Sequence, residues 1–240
     1  MGLEMEICQQ RHGSDAGHAC QHLADPEGTP PEAVHPQALN HAPAQTIPGS
    51  ITQGNLEGRY IGLTDLPLCD EGYYAINRYA HDRLYPSVQK VYSSPLKRCL
   101  ETADIIYPDR YVKQIDNIAE CDFGEFEGKT QEELENLPEY TEWLKGGYDA
   151  KAPGGETFGE FTLRCLDGLE EIFKDMMHDQ VTKAAVITHG GVIMNLLSGY
   201  GLPKGRPADF ALNQGECWQI NLSTYLWQKG PVFEIVGRII

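Results

Sequence analysis

One repeated unit, an apolar strand followed by a small polar turn and a helix, most constrains how this 240-residue chain can fold. Residues 184–188 are apolar up to a final threonine, which is typical of a parallel strand buried on both faces, and His189-Gly190-Gly191 follows. Residues 88–92 repeat the unit, with Ser93-Ser94-Pro95 as the turn before a helical pattern over 96–106. Strands that alternate with helices predict an α/β fold with three α/β/α layers around a mostly parallel, mixed sheet.

Hydrophobic spacing and turn residues assign the remaining elements of the chain. Gly154-Gly155-Glu156-Thr157 is a plausible start for a long amphipathic helix. Lys229-Gly230-Pro231 is a turn between two β-rich segments and indicates a closing hairpin. The predicted elements are helices at 70–84 and 157–177, a helix beginning over 192–197, a strand or extended segment at 111–118, and β-rich segments at 218–227 and 232–240.

Length, charge and cysteine content limit the classes of protein to which the chain can belong. The length suffices for one sizeable domain with a core that needs no disulfide or metal. The formal net charge of -16 disfavours nucleic acid and anionic membrane as partners. The seven cysteines are odd in number and scattered, which is typical of reduced thiols in a cytosolic protein. With no signal segment or membrane-spanning run apparent, we expect a cytoplasmic protein; its oligomeric state stays open.

Residues 14–50 differ in composition from everything that follows them. They contain six prolines and four histidines but no lysine, arginine or aromatic residue, and they show no helical or strand period. Such a segment buries too little apolar surface to offset the entropy lost on ordering. The predicted organisation is therefore a first strand with a His-Gly motif at 1–13, a low-complexity, mostly disordered insertion at 14–50, and the remainder of one domain at 51–240.

Two strand ends carry residues that are suited to binding an anion. Amide groups in the Gly190-Gly191 turn and at the following helix N-terminus favour negative charge beside His189. Arg98 lies in the first turn of its helix, where a cation is unfavourable unless it faces an anion, and a guanidinium binds phosphate through two parallel bonds. An exposed arginine and a plain polar turn are the simpler alternatives. A serine nucleophile at Ser93 or Ser94 is a weaker one, because no G-x-S-x-G turn surrounds either residue.

Further polar residues admit a functional and a simpler interpretation. The loop at 120–128, Glu-Cys-Asp-Phe-Gly-Glu-Phe-Glu-Gly, could supply an acid catalyst or could be a solvated acidic loop. Five residues near the N-terminus could suggest zinc, but their spacing fits no closed structural pattern, so no metal site is predicted. These five are Cys8, His12, His18, Cys20 and His22.

Taken together, the motifs resemble the histidine phosphatase superfamily, which has the phosphoglycerate-mutase-like fold. The resemblance rests on Arg11-His12-Gly13, on residues 93–103, on the acidic loop and on Thr188-His189-Gly190-Gly191. Removing residues 14–50 leaves Arg-His-Gly-Ile-Thr-Gln-Gly-Asn, which fits the family pattern Arg-His-Gly-x-Thr-x-x-Asn and ends at Asn55. The acidic loop is similar in form to that of α-ribazole-phosphatase-type members rather than to that of the mutases.

The resemblance implies a phosphomonoesterase that needs no metal or cofactor and acts on a small phosphate ester, such as an α-ribazole phosphate or a sugar phosphate. In that scheme His12 is the nucleophile that forms a phosphohistidine, and Glu120 is the proton donor. Arg11, Arg98 and His189 neutralise the phosphate oxygens, and Asn55 contacts the phosphate or orients His12. A phosphoglycerate mutase is one alternative. A non-catalytic phosphate-binding protein disabled by the insertion is another.

The first strand conflicts locally with this scheme. Residues 3–10 should form a central parallel strand, and such strands are almost continuously apolar. Burying Gln9 and Gln10 is costly unless their amides find partners. We therefore expect either a distorted first strand or an Arg11-His12-Gly13 tripeptide that does not reach the site.

Overall fold

The computed structural model describes residues 2–10, 52–82, 84–213 and 215–239. The predicted insertion at 14–50 and the tripeptide Arg11-His12-Gly13 lie outside these residues. In the part that is described, no helix is both long enough and apolar enough to span a membrane.

Seven strands in the described ranges form a single mixed sheet. They are β1 (Gly2–Gln10), β2 (Lys90–Ser93), β3 (Val112–Gln114), β4 (Lys183–His189), β5 (Gly201–Leu202), β6 (Cys217–Ser223) and β7 (Phe233–Ile239). Their order is β3-β2-β4-β1-β6-β7-β5. Four neighbouring pairs are parallel, and the pairs that β6 makes with β1 and β7 are antiparallel. The sheet is therefore mostly parallel, as predicted.

Helices connect these strands and cover the sheet. They are α1 (Gln53–Leu56), α2 (Asp70–His81), α3 (Lys97–Ile106), α4 (Gln131–Leu134), α5 (Pro138–Leu144), α6 (Phe158–His178), α7 (Gly190–Tyr200) and α8 (Thr224–Trp227). Short 3-10 helices span Asp116–Ile118, Gly124–Phe126 and Pro207–Phe210. The long helix α6 begins with a capping box in which Thr157 and Glu160 satisfy each other's backbone N–H groups.

The strands bury both faces because their side chains alternate between two apolar clusters. Val91 and Ile187 pack with Cys99 of α3 on one face. Tyr92 and Val186 belong to the larger cluster on the other face, which includes apolar residues of α6 and α7. Helices therefore lie on both sides of the sheet, and the predicted three-layer α/β/α fold is confirmed.

Several predicted elements have different bounds or type in the structure. The segment predicted as strand or extended at 111–118 is strand only over Val112–Gln114, and a 3-10 helix spans Asp116–Ile118. Helix α2 ends at His81, three residues before the predicted end, because Asp82 closes the last turn. The first predicted β-rich segment is strand only as far as Ser223, and α8 then turns the chain towards β7. The β6–β7 pair is antiparallel, as expected of a closing hairpin.

The first strand is not distorted. Strand β1 pairs with β4 in unbroken parallel register from Glu4 opposite Lys183 to Gln10 opposite His189, and it pairs with β6 on its other side. Met5 and Ile7 are buried in the core. Because a ladder is formed by backbone groups, the polar residues at the end of β1 do not prevent the strand from forming.

Candidate active site

Three of the predicted side chains converge at the carboxyl edge of the parallel strands. β2 ends directly before the turn that leads to Arg98, and β4 ends at His189. The chain that follows β3 returns to this edge and places Glu120 there. Arg98, Glu120 and His189 are 2%, 1% and 1% exposed. Ligands bind at such edges in α/β sheets, and burial strengthens electrostatic contacts with them.

His189 is held by the serine turn and by α3. Its Nε2 lies 2.7 Å from the Ser94 Oγ and 3.5 Å from the Cys99 Sγ. Burial raises the pKa of the Cys99 thiol to about 12, so this sulfur stays protonated at neutral pH. The residue before His189, Thr188, donates its hydroxyl to the Ile118 carbonyl at 2.7 Å and connects β4 to the 3-10 helix that precedes the acidic loop.

The contact between Ser94 and His189 has the spacing of a serine nucleophile and its base. Ser94 Oγ, however, also accepts the Leu96 N–H at 3.4 Å, and the whole residue is buried within its own turn. A nucleophile at Ser94 stays the weaker alternative, because no G-x-S-x-G turn surrounds this residue.

Arg98 faces inward from the first turn of α3. Its Nη2 donates to the Gly62 carbonyl at 2.8 Å and its Nη1 donates to the Thr64 carbonyl at 2.9 Å. A guanidinium has five N–H donors, so three remain for an anion after these two bonds to described residues. The neighbouring Lys97 side chain is 61% exposed and lies 3.5 Å from the Asp65 carboxylate.

Glu120 lies against the N-terminus of α7. Its carboxylate accepts the Cys121 N–H at 3.0 Å and the Gly191 N–H at 3.2 Å. Burial raises the pKa of this carboxyl, although both N–H groups and the charges of Arg98 and Arg164 act in the opposite direction. Residue 191 must be small here, because a Cβ at Gly191 would lie 2.3 Å from Glu120 Oε1.

Sequence reasoning missed the pair that holds the acidic loop. Arg164 of α6 donates to the carbonyls of Asn117, Ala119 and Glu120 at 3.0, 3.0 and 3.2 Å. It also pairs with Glu156, whose carboxylate accepts the Asp122 N–H at 2.9 Å. One sequence feature could have indicated this role for Arg164: it lies on the apolar stripe of α6, three residues after the buried Phe161.

Asn55 takes part in a local capping interaction. Its Oδ1 accepts the Thr52 N–H at 3.0 Å and the Thr52 hydroxyl at 2.8 Å, so the Thr-x-x-Asn spacing forms the capping box of α1. A contact between Asn55 and phosphate stays a prediction.

Arg11 and His12 lie outside the described residues, so their predicted roles stay predictions. The last described residue before them, Gln10, pairs with His189, which places the end of β1 at the same edge as the other site residues.

Comparison with known proteins places the chain among phosphatases. Residues 50–229 match the family model described as the histidine phosphatase superfamily (branch 1). Phosphoserine phosphatase 1 of Hydrogenobacter thermophilus is 31% identical over 142 residues, which cover 58% of this chain and 66% of that protein. Phosphoglycerate mutase-like protein 4 of Arabidopsis thaliana is 31% identical over 170 residues, covering 68% of this chain and 72% of that protein.

The fold is also found in a solved structure. A putative alpha-ribazole-5'-P phosphatase from Escherichia coli superposes with a TM-score of 0.68 at 19% identity, over 99% of this chain and 96% of that chain. At this identity the likeness shows the fold alone. The family match and the phosphatase names among the relatives support a phosphatase enzyme.

Proposed function

This chain belongs to the histidine phosphatase superfamily (branch 1), and from that premise we propose that it hydrolyses a small phosphomonoester through a phosphohistidine formed on His12. One observation carries the proposal. A guanidinium, an imidazole and a carboxyl of raised pKa, from Arg98, His189 and Glu120, are buried together at the carboxyl edge of the sheet. These are the anion-binding and proton-donating groups that phosphoryl transfer to a histidine requires.

In the first step the His12 imidazole attacks phosphorus in line with the ester oxygen. The P–N bond forms as the P–O bond to the leaving group breaks, and the Glu120 proton goes to the departing oxygen. In the second step a water gives its proton to the Glu120 carboxylate and attacks phosphorus, which releases inorganic phosphate and restores His12. Arg98, His189 and Arg11 stabilise the negative oxygens throughout.

The environment of Glu120 suits this double role. A general acid must hold its proton at the working pH, and burial keeps more of this carboxyl protonated than it would be in water. The Gly191 N–H at the α7 N-terminus stabilises the carboxylate that forms once the proton has left.

The substrate is proposed as a small metabolite that carries a phosphate monoester. One relative is named for phosphoserine, and the other is named as phosphoglycerate mutase-like. The Asp-Phe-Gly-x-x-Glu-Gly form of the acidic loop favours a phosphatase over a mutase.

A non-catalytic phosphate-binding protein is the second candidate. It is favoured by the start of the family match at residue 50, which leaves Arg11-His12-Gly13 outside the match. Phosphorylation of His12 in the full chain by a phosphomonoester separates the two candidates. Deleting residues 14–50 tests the insertion itself, because the deletion restores the family spacing between His12 and Asn55. We expect the deletion variant to keep the fold and to gain turnover, whereas a loss of activity would show that the segment belongs to the working site.

Turnover of p-nitrophenyl phosphate, phosphoserine and α-ribazole phosphate tests the proposal. We expect hydrolysis that is insensitive to EDTA. His12→Ala should abolish it, and Ser94→Ala should retain it. Activity that disappears on chelation and returns with a divalent metal would reject this mechanism, and so would a Ser94→Ala variant as inactive as His12→Ala.

A further inference from the structure

We propose that Glu127 is a positioning residue for the phosphate-binding guanidinium of Arg98, acting through the turn at Gly62-Leu63-Thr64. This inference rests on the proposed function, because it gives Arg98 the task of binding the phosphate group.

The Glu127 carboxylate collects the N–H groups of three consecutive residues. Gly62 donates to both of its oxygens at 3.0 Å, Leu63 donates at 3.0 Å and Thr64 donates at 3.2 Å. The Thr64 hydroxyl donates to the same carboxylate. A carboxylate offers about four lone-pair sites, so this turn occupies most of them and has its N–H direction fixed by one side chain.

The carbonyl groups of the same turn are the acceptors of Arg98. Gly62 and Thr64 each use their N–H on Glu127 and their C=O on the guanidinium. The Gly62–Leu63 peptide joins the two side chains, because its C=O accepts from Arg98 and its N–H donates to Glu127, and a planar peptide cannot turn one of these groups without the other. If Glu127 releases this N–H, the Gly62 carbonyl that holds Nη2 of Arg98 is released with it.

Glu127 also connects the turn to the loop that carries the proposed acid. It accepts the Phe123 N–H at 3.2 Å, within the segment that follows Glu120. A Cβ on Gly62 would lie 1.9 Å from the Cys121 carbonyl oxygen, so the turn and the loop are in direct contact. The phosphate-binding group and the proton donor must act on the same phosphate ester. A carboxylate that holds both segments therefore sets the position of Arg98 relative to Glu120.

The contact that Glu127 supports sets the upper limit of the expected effect. Losing the charge-assisted contact of Arg98 with phosphate should weaken binding by roughly 10- to 100-fold, and a residue that acts through Arg98 cannot cost more than that. Replacing Glu127 by glutamine keeps one acceptor oxygen but puts an NH₂ group against backbone N–H donors, so part of the turn must move. We expect Glu127→Gln to weaken phosphate binding by about 10- to 100-fold.

A double-mutant cycle distinguishes action through Arg98 from a general structural role. The dissociation constant for inorganic phosphate is measured by calorimetry for the wild type, Glu127→Gln, Arg98→Ala and the double variant, alongside KM and kcat. If Glu127 acts through Arg98, Glu127→Gln changes phosphate affinity by less than about threefold once Arg98 is absent. Equal effects of Glu127→Gln in both backgrounds would overturn the proposal.

Two further variants keep the test decisive. Glu125→Gln is the matched control, because Glu125 lies on the same loop but is exposed, and we expect it to leave phosphate affinity unchanged. Should Glu127→Gln not fold, Thr64→Val removes only the hydroxyl contact, and the same cycle with Arg98→Ala gives the answer. Phosphate affinity is read without turnover, so wild-type protein that binds phosphate but hydrolyses no ester would reject the proposed function and still test this one.

Discussion

One carboxyl at each end of the parallel sheet has a shifted pKa, and the two shifts have opposite directions: Glu120 is buried, and Asp175 is half-buried. At the carboxyl end, burial of Glu120 outweighs the groups that favour its charged form, and its pKa is raised. At the amino end, Asp175 of α6 accepts hydrogen bonds from Lys90, Lys113 and Tyr92. Burial opposes ionisation there too, but the hydrogen bonds from Lys113, Lys90 and Tyr92 outweigh it, and the pKa of Asp175 is lowered.

The difference shows that the hydrogen-bond partners of a carboxyl, rather than its residue type, decide the direction in which its pKa shifts. Asp175 keeps its charge under physiological conditions and ties the beginnings of two strands to α6. Burial raises the pKa of Glu120, although the positive charges of Arg98 and Arg164 favour its ionised form. We expect the amino end to contribute stability with no effect on turnover, and the carboxyl end to do the reverse.

Glu120→Gln should have the largest effect. General acid–base catalysis contributes about 10²- to 10⁴-fold, so kcat should fall by that factor, and more for phenyl phosphate than for p-nitrophenyl phosphate, which needs less protonation. The descending limb that Glu120 gives to the kcat–pH profile, on the alkaline side of pH 4.5, should disappear. A variant that keeps full turnover on both esters would show that Glu120 is not the acid.

The stability of the same variant should not fall with its activity. Because the folded-state pKa of Glu120 is raised, its favourable contribution is present below the unfolded value of 4.5 and is lost as pH rises through the folded value. Glu120→Gln removes this loss, so the free energy of unfolding should decline less than in the wild type above pH 4.5. Urea unfolding at several pH values checks this, and a steeper decline would contradict it.

Arg98→Ala should have the next largest effect. Losing a charge-assisted contact costs about 1.5–3 kcal/mol, so kcat/KM should fall by roughly 10- to 100-fold. Lys97→Ala is the matched control, since that side chain is mostly exposed and should change kcat/KM little. Equal losses from the two substitutions would mean that the turn is misassigned.

Arg164→Lys should have a smaller effect of the same kind. Lysine keeps the charge but loses the fork that reaches the carbonyls of the acidic loop and Glu156 together. We expect turnover to fall about tenfold, the equivalent of one net hydrogen bond of about 1–1.5 kcal/mol, while phosphate affinity changes less. A loss of phosphate affinity with unchanged turnover would show that Arg164 supports phosphate binding and not the proposed acid.

Asp175→Asn should change stability alone. The cluster is partly open to solvent, which screens it, so the expected loss is about 1 kcal/mol at pH 7. The pKa of Asp175 is lowered, so its contribution is present above the unfolded value of 3.8 and is lost as pH falls below it. The difference between wild type and variant should therefore shrink at acid pH, and turnover at pH 7 should stay at the wild-type value.

The same contrast explains what the sequence could predict. Arg98 and His189 could be predicted because each lies in a motif next to a strand end, and a parallel sheet brings such ends to one edge. Glu120 lies beyond the end of β3 at Gln114 and could be predicted only from the resemblance of its loop to the family. Glu127 and Arg164 were not singled out, because their partners lie up to 65 and 47 residues away and only packing joins them. The cluster of Asp175 with Lys90 and Lys113 could not be predicted for the same reason.

Local propensity explains the errors in the elements. The α8 segment contains Thr224 and two aromatic residues, which favour strand, yet it forms a helical turn where the chain must reverse towards β7. The polar residues at the end of β1 suggested a distorted strand, yet β1 is paired on both sides. The ladder depends on backbone groups, so side-chain polarity did not predict it.

The central claim is that His12 is the nucleophile, and trapping the phosphoenzyme tests it most directly. Glu120→Gln should still be phosphorylated by p-nitrophenyl phosphate, whose leaving group needs little protonation, but should lose the base that activates water for the second step. Rapid quenching under alkaline conditions followed by peptide mass spectrometry should find an acid-labile phosphate on His12, accumulating in this variant and absent from His12→Ala. Phosphate on Ser93, Ser94 or His189 would contradict the account. Turnover by the wild type with no phosphoenzyme in the wild type or in Glu120→Gln would contradict it as well.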